Sequence, residues 1–274
     1  MHYFVGDIQG CCSAFDKLLD TLTFSPSRDH VHVLGDLVNR GPASLQVLQK
    51  LQSFGASATW LLGNHDLSLL AVAQGVRKPG RKDTLDAILT HPQRGAWLEW
   101  LVQRGRLADH TQGWLTVHAG VHPAWTTEQT LALAAEVEAV LRGPAQADFL
   151  AQMFGNEPPL WSPNLSGVTR WRFIVNTLTR MRFCDAQGRM DFDTKEGADH
   201  APEGFKPWFE HAQRAAAGQP IAFGHWSTLG LVNRADLLAL DTGCVWGGQL
   251  TAVRVDGGRR EVTQVQCAQE QAPG

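Results

Sequence analysis

Cysteine is scarce in this sequence and oddly numbered: five residues, at positions 11, 12, 184, 244 and 267. None forms a CxxC pair. No disulfide framework is expected, and a reducing compartment is the easier reading. Long apolar runs are missing as well, since nothing approaches the roughly 18 residues of a membrane span. The opening residues, MHYFVGDIQG, lack a basic region ahead of a long apolar stretch. They read as a strand rather than a signal peptide. A cytoplasmic protein with no membrane association is therefore expected. Excess charge of one sign is absent too. A formal net charge of −3 gives no global field to collect nucleic acid or anionic lipid. Recognition of phosphate would have to come from local cations or metals. There is no internal repeat and no low-complexity linker.

What is present suits a folded protein with a sizeable core. Of 274 residues, 43% are hydrophobic and 19% charged. That length holds one large α/β domain or two small ones. Short apolar runs of strand composition recur: HYFV before Gly6, HVHVL before Gly35, ATWLL before Gly63, WLTV before His118 and IAF before Gly224. Between the first three lie helical patterns. Cys12 to Leu22 carries Phe15, Leu18, Leu19 and Leu22, with Ser13 and Asp16 spaced like a capping box. Ala43 to Phe54 carries Leu45, Leu48, Leu51 and Phe54. This alternation is that of βαβ units. Residues 66–107 read as helical, broken at Pro79-Gly80. Thr126 to Leu141 reads as a helix opened by a Thr126–Gln129 capping box. One domain over 1–268 is expected, with a helical insertion over about 126–215 and a frayed tail over 269–274.

Each of the five apolar runs ends at or beside a possible metal ligand. Asp7 and Gln9 follow the first, Asp36 the second and Asn64 the third. His118 follows the fourth and His225 the fifth. Strand C-termini of an open α/β sheet converge on one crevice. Two carboxylates, two carboxamides and two imidazoles would meet there, a set that suits two divalent cations. Taken singly, each residue has an ordinary reading. Gly-Asp after a strand is commonly a turn, Asn64 could be an N-cap, and His118 could be a hydrogen-bonded core histidine. Recurrence at five strand ends weighs against chance.

The segments GDIQG, GDLVNRG, GNHD, VHAG and GHW resemble the ordered motifs of calcineurin-like metallophosphoesterases. LGNHDLSLLAVA, LWSPNL, RFIVNTLTRMRFC, KPWF, IAFGHW and ALDTGCVWGGQL further resemble the bacterial symmetrical diadenosine tetraphosphatases. The resemblance spans residues 4 to about 255. It implies an α/β fold with a central β-sandwich flanked by helices. It implies one ion held by Asp7, Gln9 and Asp36 and a second held by Asp36, Asn64, His118 and His225. It places His65 on the leaving-group side and gives Asp66 an orienting or capping role. Arg40 would grip a phosphate. Arg170 would be a second grip, with Arg172, Arg180 and Arg182 as alternatives. Trp226 or Trp246 could stack on an adenine, though core packing suits either.

Two positions depart from the broader superfamily. Gln9 stands where a histidine is usual, which makes the first site all oxygen and favours Mn²⁺ or Mg²⁺ over iron or zinc. Asn39 stands where the protein-phosphatase relatives carry an aspartate that orients the catalytic histidine, and it lacks that charge. The implied reaction is hydrolysis of diadenosine tetraphosphate to two ADP, needing two ions, Mn²⁺ foremost with Co²⁺ or Mg²⁺ able to serve. Related dinucleoside polyphosphates and dinucleoside-type caps on RNA 5′ ends are further expected substrates. No protein partner is implied. Protein serine/threonine phosphatase activity and a catalytically dead nucleotide sensor are the competing readings.

Overall fold

The computed structural model describes residues 1–272. The strands are β1 (His2–Val5), β2 (His30–Val33), β3 (Ala58–Trp60), β4 (Ala108–Thr111), β5 (Trp114–Val117), β6 (Phe183–Asp185), β7 (Met190–Asp191), β8 (Phe205–Pro207), β9 (Ile221–Phe223), β10 (Val232–Asn233), β11 (Leu237–Ala239), β12 (Gln249–Arg254) and β13 (Glu261–Gln266). The α-helices are α1 (Cys12–Thr21), α2 (Ser44–Ser53), α3 (Asn64–Ala73), α4 (Asp86–Leu89), α5 (Arg94–Arg104), α6 (Thr127–Arg142), α7 (Gln146–Gln152) and α8 (Gly167–Arg180).

Two five-stranded sheets carry the fold, ordered β13-β12-β1-β2-β3 and β10-β11-β9-β5-β4. Within the first, β1, β2 and β3 run parallel; within the second, β5, β9 and β11 do. Phe4, Leu34, Leu61, Trp114, Ala222, Leu238, Leu240, Val253 and Val255 form a buried cluster drawn from both sheets. That is the central β-sandwich that the resemblance implies. The five apolar runs coincide with β1, β2, β3, β5 and β9. Each is too short to be a helix and ends at a glycine or histidine that turns the chain.

Helix α6 opens with the expected capping box: Thr126 Oγ1 accepts from Gln129 N, and Gln129 Oε1 accepts from Thr126 N, both at 3.1 Å. The Ser13–Asp16 box does not form. Cys11 caps α1 without a side-chain bond, and Asp16 pairs with Lys50 instead. The region 66–107 breaks into α3, α4 and α5, with the Pro79-Gly80 turn between the first two.

Residues 126–215 are not helical throughout. After α6, α7 and α8 comes a separate three-stranded sheet, β7-β6-β8. Two expectations about the C-terminal part are corrected. Cys244 and Cys267 are joined as a disulfide across a Cα–Cα distance of 5.3 Å, although no CxxC spacing announced it. The tail does not fray from Gln269. Glu270 N and Gln271 N donate to Val245 O, and Gln271 Nε2 donates to Arg40 O at 2.9 Å and Lys82 O at 2.8 Å. The last two residues of that expected tail lie outside the described residues. No described helix is long and apolar enough to cross a membrane.

Candidate metal centre

The parallel strands of both sheets deliver their C-termini to one crevice. Asp7 follows β1, Asp36 follows β2, Asn64 opens α3 after β3, His118 follows β5 and His225 follows β9. The chain turns sharply at these points. Gln9, Asp36, Asn39, Arg40 and His225 have φ of 45°, 49°, 78°, 67° and 63°. Among the described non-glycine residues only Thr23 and Gln112 are also left-handed. Such backbone costs on the order of 1–3 kcal/mol per residue and concentrates at functional sites. Two glycines permit the close approach: a Cβ on Gly63 would collide with the Asp36 carboxylate, and one on Gly224 with that of Asp7.

Ligand atoms of Asp7, Asp36 and His118 lie within 4.8 Å of one another, and all three residues are buried. Asp36 Oδ1 accepts from His65 N at 2.8 Å, while its Oδ2 lies 3.5 Å from His118 Nε2. The Asp7 carboxylate accepts from His225 N at 3.0 and 3.2 Å. His118 Nδ1 donates to Leu34 O at 2.8 Å, which leaves its Nε2 lone pair facing the crevice. Gln9 is buried in the loop after β1, and its N–H donates to Asp36 O at 2.8 Å.

The surroundings of Asp7, Asn64 and His225 bear on whether these residues fit a bound cation. First, Asp7, Asp36 and a further buried carboxylate, Asp241, share the crevice. Burial, then Asp241 and Asp36, push the Asp7 carboxyl well above its ordinary range. Burial moves Asp241 up to about 6. A bound cation would compensate like charges held this way. Second, with its oxygen inward, Asn64 Oδ1 lies 3.4 Å from His118 Nε2 and faces the lone pairs of Thr179 O and His225 Nδ1. Hydrogen bonding selects the amide turned over, with its nitrogen donating to Thr179 O at 3.1 Å and to His225 Nδ1 at 3.0 Å, so Asn64 would be a ligand only with its oxygen turned inward. Third, His225 Nε2 is buried without a hydrogen-bond partner.

Asp66 is the third residue of α3, and it caps. Its Oδ2 accepts from Gly63 N at 2.9 Å and its Oδ1 from Leu37 N at 3.0 Å. It thereby fixes the loops beside Asn64 and Asp36 without a hydrogen bond to the His65 ring. Burial pushes its carboxyl up to about 8. His65 is held by Asn39, whose Nδ2 donates to His65 Nδ1 at 3.1 Å and to Asp83 Oδ1 at 3.0 Å. Asn39 Oδ1 accepts from Arg40 N and Thr84 N, which fixes the direction of the amide.

Beside His65 opens a cavity of about 360 Å³, lined among others by Arg40, Asn64, Arg77, Asp83, Phe154 and Arg180. Arg40 reaches Asp83 at 3.7 Å. Arg170 does not reach this cavity. Its Nε donates to both Glu136 oxygens at 3.0 Å, and its guanidinium lies over Trp161. Arg180, ten residues further along α8 and about 15 Å away at 1.5 Å per residue, lines the cavity instead. Arg172 is committed to Gln152 O and Glu157 O. Arg182 Nε is buried without a partner, and its charge is felt by Asp241, Asp7 and His225. Trp226 is core: it is 1% exposed, donates to Glu196 O and packs on Phe183. Trp246 is half-buried against the core.

Asp241, Asp83 and Arg77 are site neighbours that sequence reasoning passed over. Asp241 had a signal, because it follows β11 as Asp7 follows β1. Asp83 and Arg77 sit in a loop with no motif.

Comparison with known proteins agrees with this geometry. The profile of the calcineurin-like phosphoesterase family matches residues 3–225. A symmetrical bis(5′-nucleosyl)-tetraphosphatase of Paracidovorax citrulli (strain AAC00-1) is 56% identical, with 99% of each chain covered. One of Acidovorax sp. (strain JS42) is 57% identical over the same shares. Among solved structures, a proposed diadenosine tetraphosphatase superposes with a TM-score of 0.63 at 22% identity, covering 97% of this chain and 93% of that one. A serine/threonine phosphatase from Saccharomyces cerevisiae superposes at 0.54 and 13%, covering 99% and 81%; at these identities both show the fold alone. The chain belongs to the calcineurin-like phosphoesterases and, within them, to the family of symmetrical bis(5′-nucleosyl)-tetraphosphatases.

Proposed function

We propose that this protein hydrolyses diadenosine tetraphosphate and related dinucleoside polyphosphates at the central bridge, giving two nucleoside diphosphates, in the cytoplasm. The reading extends to dinucleoside-type caps on RNA 5′ ends. One domain, residues 1–268 with 126–215 inserted, carries the activity. The names of the curated relatives support the substrate class. The observation that carries it is the cavity beside His65, where Arg40, Arg77 and Arg180 face a single carboxylate, Asp83. That excess of guanidinium suits a polyphosphate chain.

Asp7, Gln9 and Asp36 would hold one divalent ion, and Asp36, Asn64, His118 and His225 the other. When bound, such a pair supplies an activated water and neutralises phosphate charge. The oxygen donors of the first set favour Mn²⁺, with Co²⁺ or Mg²⁺ as substitutes. Asn39 holds His65 with Nδ1 as acceptor, so Nε2 carries the proton and can donate to the departing group. Arg40 and Arg180, which line the cavity, would spread the charge of the phosphates. A nucleoside diphosphate leaves as an anion already stable near neutral pH. It needs charge stabilisation more than a proton, and that is what the arginines supply.

The test is turnover by chelated and Mn²⁺-loaded protein on a panel of diadenosine tetraphosphate and a phosphoserine peptide. The dinucleotide should be cleaved, and only with the ion. Preference for the phosphopeptide would favour a protein phosphatase, and no turnover of either would favour a nucleotide sensor.

A further inference from the structure

A substrate with two nucleosides must place one half away from the metal ligands, and the cavity beside His65 holds a cation–π pair to which no separate role has yet been given. In its lining the Arg77 guanidinium lies over the Phe154 ring, 4.2 Å from the centroid. Arg77 is exposed and Phe154 half-buried. No described carboxylate forms an ion pair with Arg77, so its charge is free to meet an anion. A stacked guanidinium loses little further freedom when it binds, which makes the pair a pre-ordered cation.

The loop bearing Arg77 is basic and anchored. Residues 77–82 read RKPGRK, four cations in six positions. Asp83 Oδ2 accepts from Gly80 N at 2.7 Å while its Oδ1 accepts from Asn39. Gln271 Nε2 holds the same loop through Lys82 O. The loop is thus tied to the residue that orients His65. In the same cavity, Arg180 is held among the described residues by neutral acceptors, Asn176 Oδ1 and Asn156 Oδ1, each at 2.9 Å, and Gly155 O at 3.3 Å. Its charge is also uncompensated.

Resting on the hydrolase reading above, we propose that the Arg77–Phe154 pair forms an outer subsite for the departing nucleoside diphosphate, with Arg77 on its phosphates and Phe154 as the positioning residue that holds Arg77. The pair would select substrates whose second half reaches beyond His65.

The experiment is steady-state kinetics of the Mn²⁺-loaded protein on diadenosine tetraphosphate, with inhibition by ADP and by orthophosphate measured in parallel. Orthophosphate is small enough to be served by the metal ligands alone. R77A should raise KM and the ADP inhibition constant by roughly 10-fold or more, the weight of a charge-assisted contact, with kcat shifted less than KM. F154A should act in the same direction, and F154L should fall between it and wild type because an aliphatic platform keeps contact but loses the π face. Orthophosphate inhibition should shift less than about 2-fold by the same reckoning. Wild-type cleavage of the dinucleotide with neither constant moved in R77A and F154A would overturn the outer subsite and leave the hydrolase reading standing. Equal shifts for ADP and orthophosphate would overturn it as well, since the pair would then act on the metal centre. A wild-type protein that does not cleave the dinucleotide would overturn the reading beneath it.

Discussion

Asn39 Nδ2 donates to His65 Nδ1 at 3.1 Å, and the same nitrogen donates to Asp83 Oδ1 at 3.0 Å. The amide cannot turn over, because its oxygen already accepts from Arg40 N and Thr84 N. His65 is therefore kept neutral with its proton on Nε2, in keeping with the way burial lowers its basicity. The nearby Asp83 carboxylate is hydrogen-bonded to the amide rather than to the ring. This polarity suits cleavage of an anhydride, whose leaving group needs little protonation.

Asn39→Asp should reverse that polarity. The new carboxylate would accept from a protonated His65 and would also sit against Asp83. The ratio of phosphomonoester to dinucleotide turnover should rise several-fold, well short of the roughly 10²–10⁴ of a full general-acid effect, and total activity should fall. Parallel kinetics on phosphoserine peptide and dinucleotide measure the ratio; an unchanged ratio would show that position 39 does not set the leaving-group preference.

The donor set predicts an order among metal-site variants. Asp36→Asn should lose more activity than Gln9→Glu, because Asp36 serves both ions in the assignment. Gln9→His should retain activity and tighten the first ion, since imidazole is the stronger donor for late first-row metals. The left-handed backbone at position 9, φ 45°, tolerates histidine well. Metal titration by calorimetry reads this directly, and identical affinities in Gln9→His and wild type would remove position 9 from the ligands.

Arginines in and out of the cavity should separate cleanly. Arg40→Ala should cost about 1.5–3 kcal/mol of transition-state stabilisation, and Arg40→Lys should recover only part, because it keeps charge and loses the fork. Arg170→Ala should lower the melting temperature with little change in kcat/KM, since it removes the Glu136 pairing and the Trp161 stack. A large kinetic loss in Arg170→Ala would restore it as a phosphate grip.

Acid stability should depend on a histidine stack far from the site. His30 and His32 stack at 4.2 Å, and His2 Nδ1 lies 3.0 Å from His32 Nε2. Burial, then His30 and His2, depress His32 to about 3. Burial, then a neighbouring positive group, also lowers His2 and His30. The unfolded chain therefore binds more protons below pH 6.5. Stability contributed by the neutral stack is complete above that pH and is lost as pH falls towards 3, at up to about 1.4 kcal/mol per pH unit from the buried His32. Urea midpoints at pH 7 and 5 measure the slope, and His32→Gln should flatten it. Equal midpoints for wild type at both values would contradict the assignment.

Much of this arrangement was legible because it is local. A short apolar strand, a glycine and a polar ligand recur, and the parallel topology brings such ends together whatever lies between. The Asn39–Asp83 contact was not legible, since it joins positions 44 residues apart and the aspartate sits in an unpatterned basic loop. Arg170 misled because a family segment fixes the presence of α8 but not which of its turns reaches the cavity. Arg180, about 15 Å further along by helical rise, does so. The Cys244–Cys267 pairing was hidden for a similar reason: β12 and β13 lie between the two residues, and their antiparallel pairing returns the chain to its start.

The most direct test is identification of the products of diadenosine tetraphosphate hydrolysis by the Mn²⁺-loaded protein in ¹⁸O-water. Attack at the central bridge predicts ADP as the sole nucleotide product, with the label in one of each pair of ADP molecules. AMP and ATP as products would contradict the account.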